Sequence, residues 1–367
     1  MTKTDKRAHE PLIHITKRNQ IPWWKSWMIR AAAIILALVV GAIFVMLMTG
    51  YNPLQVYSAM LDGNFKSSRK FWMLLQNTSI LLCISLAVTP AFKMRFWNTG
   101  AEGQVLVGAL ASAAMMFYVG DRLNNAVLII VMLIASIAAG VIWAVLPAYF
   151  KAKWNTNETL FTLMMNYVAM QLVGFAIMIW VPSGSNVMGV INSKTESGWL
   201  PNIFGQKYLI NILIVVAVTV LMFIYLRYSK HGYEIAVVGE SENTAKYIGI
   251  NVKHVIIRTM VLSGAVCGLA GFLLVSGTHH TVSKNIVGGM GFTAIMVSWL
   301  AKFNPILMVL TSGLIIFLQQ GAGEIATQLT LNESISDILT GIILFFIIGC
   351  EFFVHYKMNF RAKHGKD

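Results

Sequence analysis

The chain has 367 residues, of which 57% are hydrophobic and 12% charged, against roughly 45–50% and about 25% in a soluble domain; this much apolar surface excludes a water-soluble monomer. At about 20 residues per membrane-spanning helix, ten helices consume roughly 200 residues and leave no room for a large second domain. The net charge of +13 does not point to nucleic acid, because Lys and Arg fall in short stretches between apolar runs, where they are retained on the cytoplasmic side, rather than in one phosphate-neutralising cluster.

Residues 1–30 form a polar arm with seven basic residues (Lys3, Lys6, Arg7, Lys17, Arg18, Lys25 and Arg30), and the uncharged run Ala31–Thr49 follows. The run is long, no small-x-small cleavage site closes it and more runs follow, so it reads as an uncleaved first span rather than a secretory signal. Trp23, Trp24 and Trp27 beside it suit the aromatic belt of a membrane interface. Further apolar runs lie near 71–92, 101–119, 126–150, 160–181, 208–226, 256–275, 285–301, 305–320 and 335–353, which makes ten. With the N-terminus inside, 21 of the 28 basic residues are cytoplasmic and seven are external, a bias that places both termini in the cytoplasm. The two runs within 285–320 are parted only by Lys302-Phe303-Asn304-Pro305. They are taken as two spans, since one broken or re-entrant element would put the basic tail outside.

The expected fold is therefore an all-α integral membrane protein of about ten transmembrane helices: a basic arm at 1–30, a membrane domain at 31–355 with a cytoplasmic loop at 227–255, and a cytoplasmic tail at 356–367. The helices are apolar nearly all round, so amphipathic period cannot choose their lipid-facing side. Small residues are the better guide. Gly264, Ala265, Cys267, Gly268 and Gly271 in the seventh span, and Gly108 to Ala114 in the third, make smooth faces where backbones approach closely.

Two cytoplasmic-side segments stand out from this apolar background. Arg95-Phe96-Trp97-Asn98-Thr99-Gly100-Ala101-Glu102-Gly103-Gln104 places Asn98, Glu102 and Gln104 near membrane level, where polar groups must face protein, water or a solute path. With Asn166 they are the candidates for a translocation pathway; the alternative for Glu102 is to satisfy a helix N-terminus. The second segment is Gly232–Ile250, in which Ser241 is a natural N-cap for a short helix through Tyr247 and Gly249 can end that helix in the left-handed region. Such a helix across the inner membrane face can dock into a groove on a soluble partner and act as a lever.

Other features carry less. No G-x-x-x-x-G-K-[ST] phosphate loop occurs, the one Gly-Lys pair being Gly365-Lys366 before Asp367, so the chain has no ATPase site of its own. Gly321-Ala322-Gly323-Glu324-Ile325-Ala326 fits G-x-G-x-x-A but lacks the strand and βαβ unit a dinucleotide site requires. The adjacent His279 and His280 diverge, and Cys83, Cys267 and Cys350 are widely spaced without CxxC pattern, so neither set reads as a metal site or disulfide. Glu324, Glu333 and Asp337 could relay protons in an ion-coupled carrier, but like Glu102, Glu158 and Glu351 they lie near run ends rather than in mid-span.

Phe96-Trp97-Asn98-Thr99-Gly100-Ala101-Glu102-Gly103-Gln104, followed by a small-residue span, resembles the FNIGAEGQ-type signature of ABC importer permeases of the nucleoside and simple-sugar group. The 232–250 stretch is similar to that group's coupling-helix pattern, G-x-x-x-R-A-V-G-x-N-x-x-A-A-x-x-x-G-I, at Gly239, Ala245, Gly249 and Ile250. Ala236 stands where Arg is common, Val237 replaces Ala, and Glu242-Asn243 shifts the polar residues. The resemblance covers most of 70–355; the GAEGQ form and the lack of an early acidic-Leu-Ser-Val-Gly motif favour the nucleoside branch.

The resemblance implies a non-enzymatic permease subunit in a bacterial-type plasma membrane. Separate ATPase subunits that use ATP and Mg would grip Glu234, Gly239, Glu240, Asn243, Ala245 and Gly249, and a second homologous permease and an extracytoplasmic solute-binding lipoprotein would complete the assembly. The chain itself would hold no cofactor or metal and bind no nucleic acid; its contacts would be a small-molecule solute and membrane lipid. The solute would be a nucleoside, with a simple sugar as the alternative; from another class, an ion-coupled secondary transporter is the rival.

Overall fold

Helices that are apolar all round need their ends fixed by something other than amphipathicity, and here capping side chains do much of it. The computed structural model of the chain describes residues 13–17, 22–181, 188–330 and 332–360. Lys3, Lys6, Arg7 and Arg18 of the arm, residues 361–367 of the tail, and the side chains of Trp23, Trp27, Glu333, Asp337 and Glu351 lie outside the described residues.

A short strand β1 (Ile13–Lys17) precedes α1 (Trp23–Thr49), which starts within the arm and ends on left-handed Gly50. In α2 (Pro53–Phe65), proline at the first helical position and the Asn52 side chain, accepting from Leu54 N–H, define the start. Next come α3 (Ser68–Lys93), capped by Ser67, and α4 (Ala101–Val119), whose first turn carries Glu102. Asn124 caps α5 (Asn125–Trp154), left-handed Asn155 ends it, and Asn157 caps α6 (Glu158–Trp180). After α7 (Leu209–Tyr228), Ser229 caps α8 (Lys230–Glu240) and Ser241 caps α9 (Glu242–Tyr247). Asn251 caps α10 (Val252–Leu274), which runs into a π-helical turn over Val275–His279. Last are α11 (Met290–Leu300), α12 (Pro305–Gln328), α13 (Glu333–His355) and β2 (Tyr356–Phe360).

Among the described residues, eight helices are long and apolar enough to cross a membrane, namely α3 to α7, α10, α12 and α1 from Met28 onward; α11 and the 338–354 part of α13 are shorter apolar helices. That accords with about ten membrane helices. The run at 101–119 has the bounds expected from sequence. The run at 285–301 differs: only 11 residues are helical, about 16 Å at 1.5 Å per residue, too short for a hydrocarbon core of about 30 Å. The physical reason is Gly288-Gly289, both at positive φ, which end the non-helical stretch before it.

The chain divides into two compact units, residues 1–66 with 318–367 and residues 67–317, with α12 shared between them. In the first, β1 pairs antiparallel with β2, Lys17 opposite Tyr356, so the beginning of α1 and the end of α13 lie at one end of that unit. Within the same unit Gln320 donates to the Gly63 carbonyl at 3.0 Å, joining α12 to α2.

In the second unit α10 packs against α3, α4 and α5. The small-residue faces meet as their composition suggested: a Cβ on Gly108 would lie 2.8 Å from Gly268 Cα, and one on Gly264 would lie 2.6 Å from Ala144 Cβ. Ser136 Oγ of α5 reaches both backbones, 2.8 Å from the Gly108 carbonyl and 2.6 Å from that of Gly268. Close backbone approach and an interhelical hydrogen bond replace the hydrophobic driving force that lipid cannot supply.

Candidate functional site

Where α3 and α5 end and α10 begins, α8 and α9 form a bent two-helix element. Ser229 makes the first corner, donating to the Tyr225 carbonyl at 2.6 Å and accepting from Gly232 N–H at 3.0 Å. Ser241 makes the second, accepting from Thr244 N–H at 3.2 Å. The helix expected to run from Ser241 through Tyr247 is α9, and Gly249 behind it has φ +85°, a value that favours glycine. The preceding helix α8 was not anticipated; its signals are the Ser229 cap and the apolar spacing of Ile235 and Val238.

The inner face of this element is fastened to the bundle. Ile235, Val238 and Ala245 join a buried cluster with Ala91 of α3, Met94 and Phe96 just after it, Ala144 and Ala148 of α5, and Val252, Val255, Ile256 and Met260 of α10. Gly239 lies against the Lys93 carbonyl so closely that a Cβ there would collide with backbone. Glu234 accepts a hydrogen bond from Arg258 of α10 at 2.8 Å, with His231 Nδ1 3.7 Å from the same oxygen. The hydrogen bond to Arg258 holds the Glu234 carboxyl below the usual carboxylate range. The outer face is free of the bundle: Glu240 and Asn243 are exposed, Ile248 is half exposed, and Tyr247 is 92% exposed. Thus Glu234, Gly239 and Ala245 fasten the element, while Glu240, Asn243, Tyr247 and Ile248 present it. Arg258 and Tyr247 were missed by sequence reasoning, since an Arg inside a span and a Tyr on a helix carry no distinctive pattern.

Asn98, Glu102, Gln104 and Asn166 come together as a buried polar frame. Asn98 is fully buried, and its amide donates to Ser263 Oγ of α10 at 3.1 Å while its carbonyl accepts from Gln104 Nε2 at 3.1 Å. Asn166 of α6 accepts from Gly103 N–H at 2.8 Å and donates to the Thr99 carbonyl at 2.9 Å. A Cβ on Gly103 would lie 3.0 Å from Asn166 Cα, so glycine is needed for this approach. The frame spends its hydrogen bonds on backbone and on itself, as buried polar groups must.

Glu102 reaches furthest along the chain. Its two carboxylate oxygens accept from Gly289 N–H at 2.9 Å and Gly291 N–H at 2.7 Å, at the beginning of α11. A carboxylate there meets the positive end of the helix and satisfies amides that have no intrahelical partner. The helix so capped is α11, remote in sequence from α4. At the other end of α11, Ser298 Oγ is 2.9 Å from Thr89 Oγ1 and Trp299 stacks on Trp97, tying it to α3.

On the opposite side, the loop after α6 and the π-turn after α10 enclose a cavity of about 540 Å³ lined by Glu196, Trp199, Lys207, Tyr208, Thr278 and His280 among others. Ser276 Oγ donates to the Gly198 carbonyl and Ile191 N–H to the His280 carbonyl at 2.8 Å, which fixes loop against turn. His280 stacks on Trp199 with ring centroids 3.8 Å apart. Burial, with a smaller effect from Lys207, pushes its imidazole down to about 4. Among the described residues, no three His, Cys, Asp or Glu side chains are placed to hold a metal ion.

A sequence family described as the branched-chain amino acid transport system permease component matches residues 71–348. The guanosine ABC transporter permease protein NupP of Bacillus subtilis is 29% identical over 91% of this chain and 96% of its own length. The nucleoside ABC transporter permease protein NupB of Lactococcus lactis is 27% identical over 86% of this chain and 88% of its own. The glucose ABC transporter permease protein TsgB13 of Haloferax volcanii is 24% identical over 95% and 93%.

Proposed function

The chain belongs to the branched-chain amino acid transport system permease family, and from that membership we propose that it is the membrane-spanning subunit of an ATP-driven importer whose solute is a nucleoside. It is a multi-pass permease of the plasma membrane. Permeases of this kind work in pairs with separate ATPase subunits. The nucleoside assignment rests on the guanosine and nucleoside permeases among its relatives and on the GAEGQ form of residues 100–104. The glucose permease relative keeps a simple sugar as the second reading. ATP and Mg belong to the partner ATPases in this proposal, and an extracytoplasmic binding protein delivers the solute to the outer cavity.

The observation that carries the reading is the two-faced element α8–α9. One face is bolted into the ends of α3, α5 and α10, and the other offers Glu240, Asn243, Tyr247 and Ile248 to a partner. An ATPase that grips the outer face and closes on ATP moves the inner face as a rigid body, because packed cores shift between discrete arrangements rather than deform smoothly. The ends of α3 and α10 move with it. They carry the polar frame, through Asn98 and Ser263, and with it the Glu102 tether to α11. A closure at the ATPase thereby becomes a rearrangement beside the solute path.

The test is substitution on each face. E240W should leave membrane levels intact while uncoupling ATP hydrolysis from uptake, since its side chain is exposed. G239L should do the same by lifting α8 off the Lys93 carbonyl. Unchanged uptake in both variants would contradict the lever.

A further inference from the structure

Between His280 and Met290 the chain is not helical, yet it runs from near the end of α4 to its first turn. At its outer end the His280 carbonyl accepts from Ile191 N–H, and the adjacent Asn192 donates to the Met116 carbonyl near the far end of α4. At its inner end Gly289 and Gly291 are held by Glu102 in the first turn of the same helix. Residues 102 and 116 of α4 are about 21 Å apart at 1.5 Å per residue, a span that nine residues of extended or turning chain can bridge at about 3.3 Å each.

The two sides of this stretch differ in chemistry. Val282, Ile286 and Val287 are buried against the bundle, whereas Ser283, Lys284, Asn285 and Gly288 are exposed. The backbone closes turns through Ile286 N–H to Ser283 O, Gly288 N–H to Asn285 O and Met290 N–H to Val287 O. Among the described residues the amides of Ser283, Lys284 and Asn285 find no acceptor in the protein. Irregular backbone with open amides, flanked by an exposed lysine and asparagine, cannot face hydrocarbon. At membrane depth it is tolerated only where it is buried in protein or lines a water-filled cavity. The stretch also begins at the floor of the outer cavity, which Thr278 and His280 help to line. Lys284 runs along Gly174 of α6, where a Cβ would meet its side chain, and this steers the ammonium along the exposed side.

We propose that Ser283, Lys284 and Asn285 line the water-filled path along which the solute crosses, offering hydrogen-bond donors to the carbonyl and hydroxyl oxygens of a neutral polar solute. This rests on the importer reading above and deepens it. The path wall is then the exposed side of the 281–289 stretch, and the frame of Asn98, Glu102, Gln104 and Asn166 stands behind it and holds it through Glu102. A small Gly288-Gly289 hinge lets the stretch follow movements of α4 without unravelling α11.

The experiment uses right-side-out membrane vesicles containing the complete transporter, with a charged, membrane-impermeant maleimide added outside. S283C and N285C should both react, at least about tenfold faster than V287C, whose side chain is buried, in the nucleotide-free or the vanadate-trapped state; the native Cys83 and Cys267 are buried. If either S283C or N285C fails to exceed V287C in both states, the stretch is covered by lipid or protein and the proposal is overturned. ATP-driven uptake of a panel of nucleosides by the unsubstituted transporter, measured in parallel, reports separately on the importer reading: the absence of uptake of every one would refute that reading whatever the labelling shows.

Discussion

Glu102 shows how one side chain can organise distant parts of the chain. Its oxygens accept from Gly289 and Gly291 while its own helix starts beside Asn166. Glu102→Ala strands the buried Gly291 amide, at a cost of about 1–3 kcal/mol where no water replaces the carboxylate, and frees the half-buried Gly289 amide. The thermal midpoint of the detergent-solubilised protein should fall, and an unchanged midpoint would contradict the tether. Gly268→Val drives a methyl-bearing carbon into the backbone at Ser136 and Ile137; overpacking of this kind costs about 1–3 kcal/mol or more, and the expected readout is loss of properly assembled protein from the membrane. His280 gives a pH signature. Its folded-state value, about 4, lies below the roughly 6.5 of an unfolded histidine, so the unfolded chain binds the extra proton between these limits. The stability it confers is fully present above pH ~6.5 and is lost as pH falls toward about 4. His280→Phe preserves a ring against Trp199 and should flatten that part of the stability–pH curve in thermal melts; an unaltered curve would contradict the assignment.

Among the elements, α9 tests orientation and coupling together. E242C should react with an impermeant thiol reagent only from the cytoplasmic side, and reaction from outside would reverse the topology. Tyr247→Ser should weaken ATPase attachment without disturbing the fold, because the ring is 92% exposed; co-purification of the ATPase at an undiminished level would show that Tyr247 is not part of the contact. This element was largely legible in the sequence because its signals are local: a Ser cap, a run of a few helical residues and a glycine at positive φ. The spans were legible for the same reason, apolar length being visible without any partner. What escaped is what depends on distant residues. The start of α11 is held by Glu102, almost two hundred residues away in sequence, and α11 sits in a run whose composition reads as a full span. The π-turn after α10 needs Ser276 to meet the Gly198 carbonyl, and α2 and α8 are too weakly apolar to declare themselves by hydropathy. The polar candidates Asn98, Gln104 and Asn166 were visible as costly residues near membrane level. That Asn98 bonds to Gln104 and Ser263, and Asn166 to the backbone of Thr99 and Gly103, emerges only when α4, α6 and α10 are assembled.

For the molecule as a whole, the proposed mechanism separates force from path. In it the α8–α9 element and its apolar core receive motion, the polar frame relays it, and the 281–289 stretch with the cavity beside Trp199 and His280 meets the solute. The proposed transport depends on ATPase partners, as membership of the permease family implies. The most direct test is uptake by proteoliposomes in which the purified chain is reconstituted either alone or with its second permease, ATPases and binding protein, using a panel of radiolabelled nucleosides, with ATP on the ATPase side and a proton ionophore present. The account predicts accumulation against a gradient only in the complete assembly, abolished by removing ATP and unaffected by the ionophore. Uphill uptake by the chain alone, or uptake that collapses with the ion gradient while ATP persists, would contradict it.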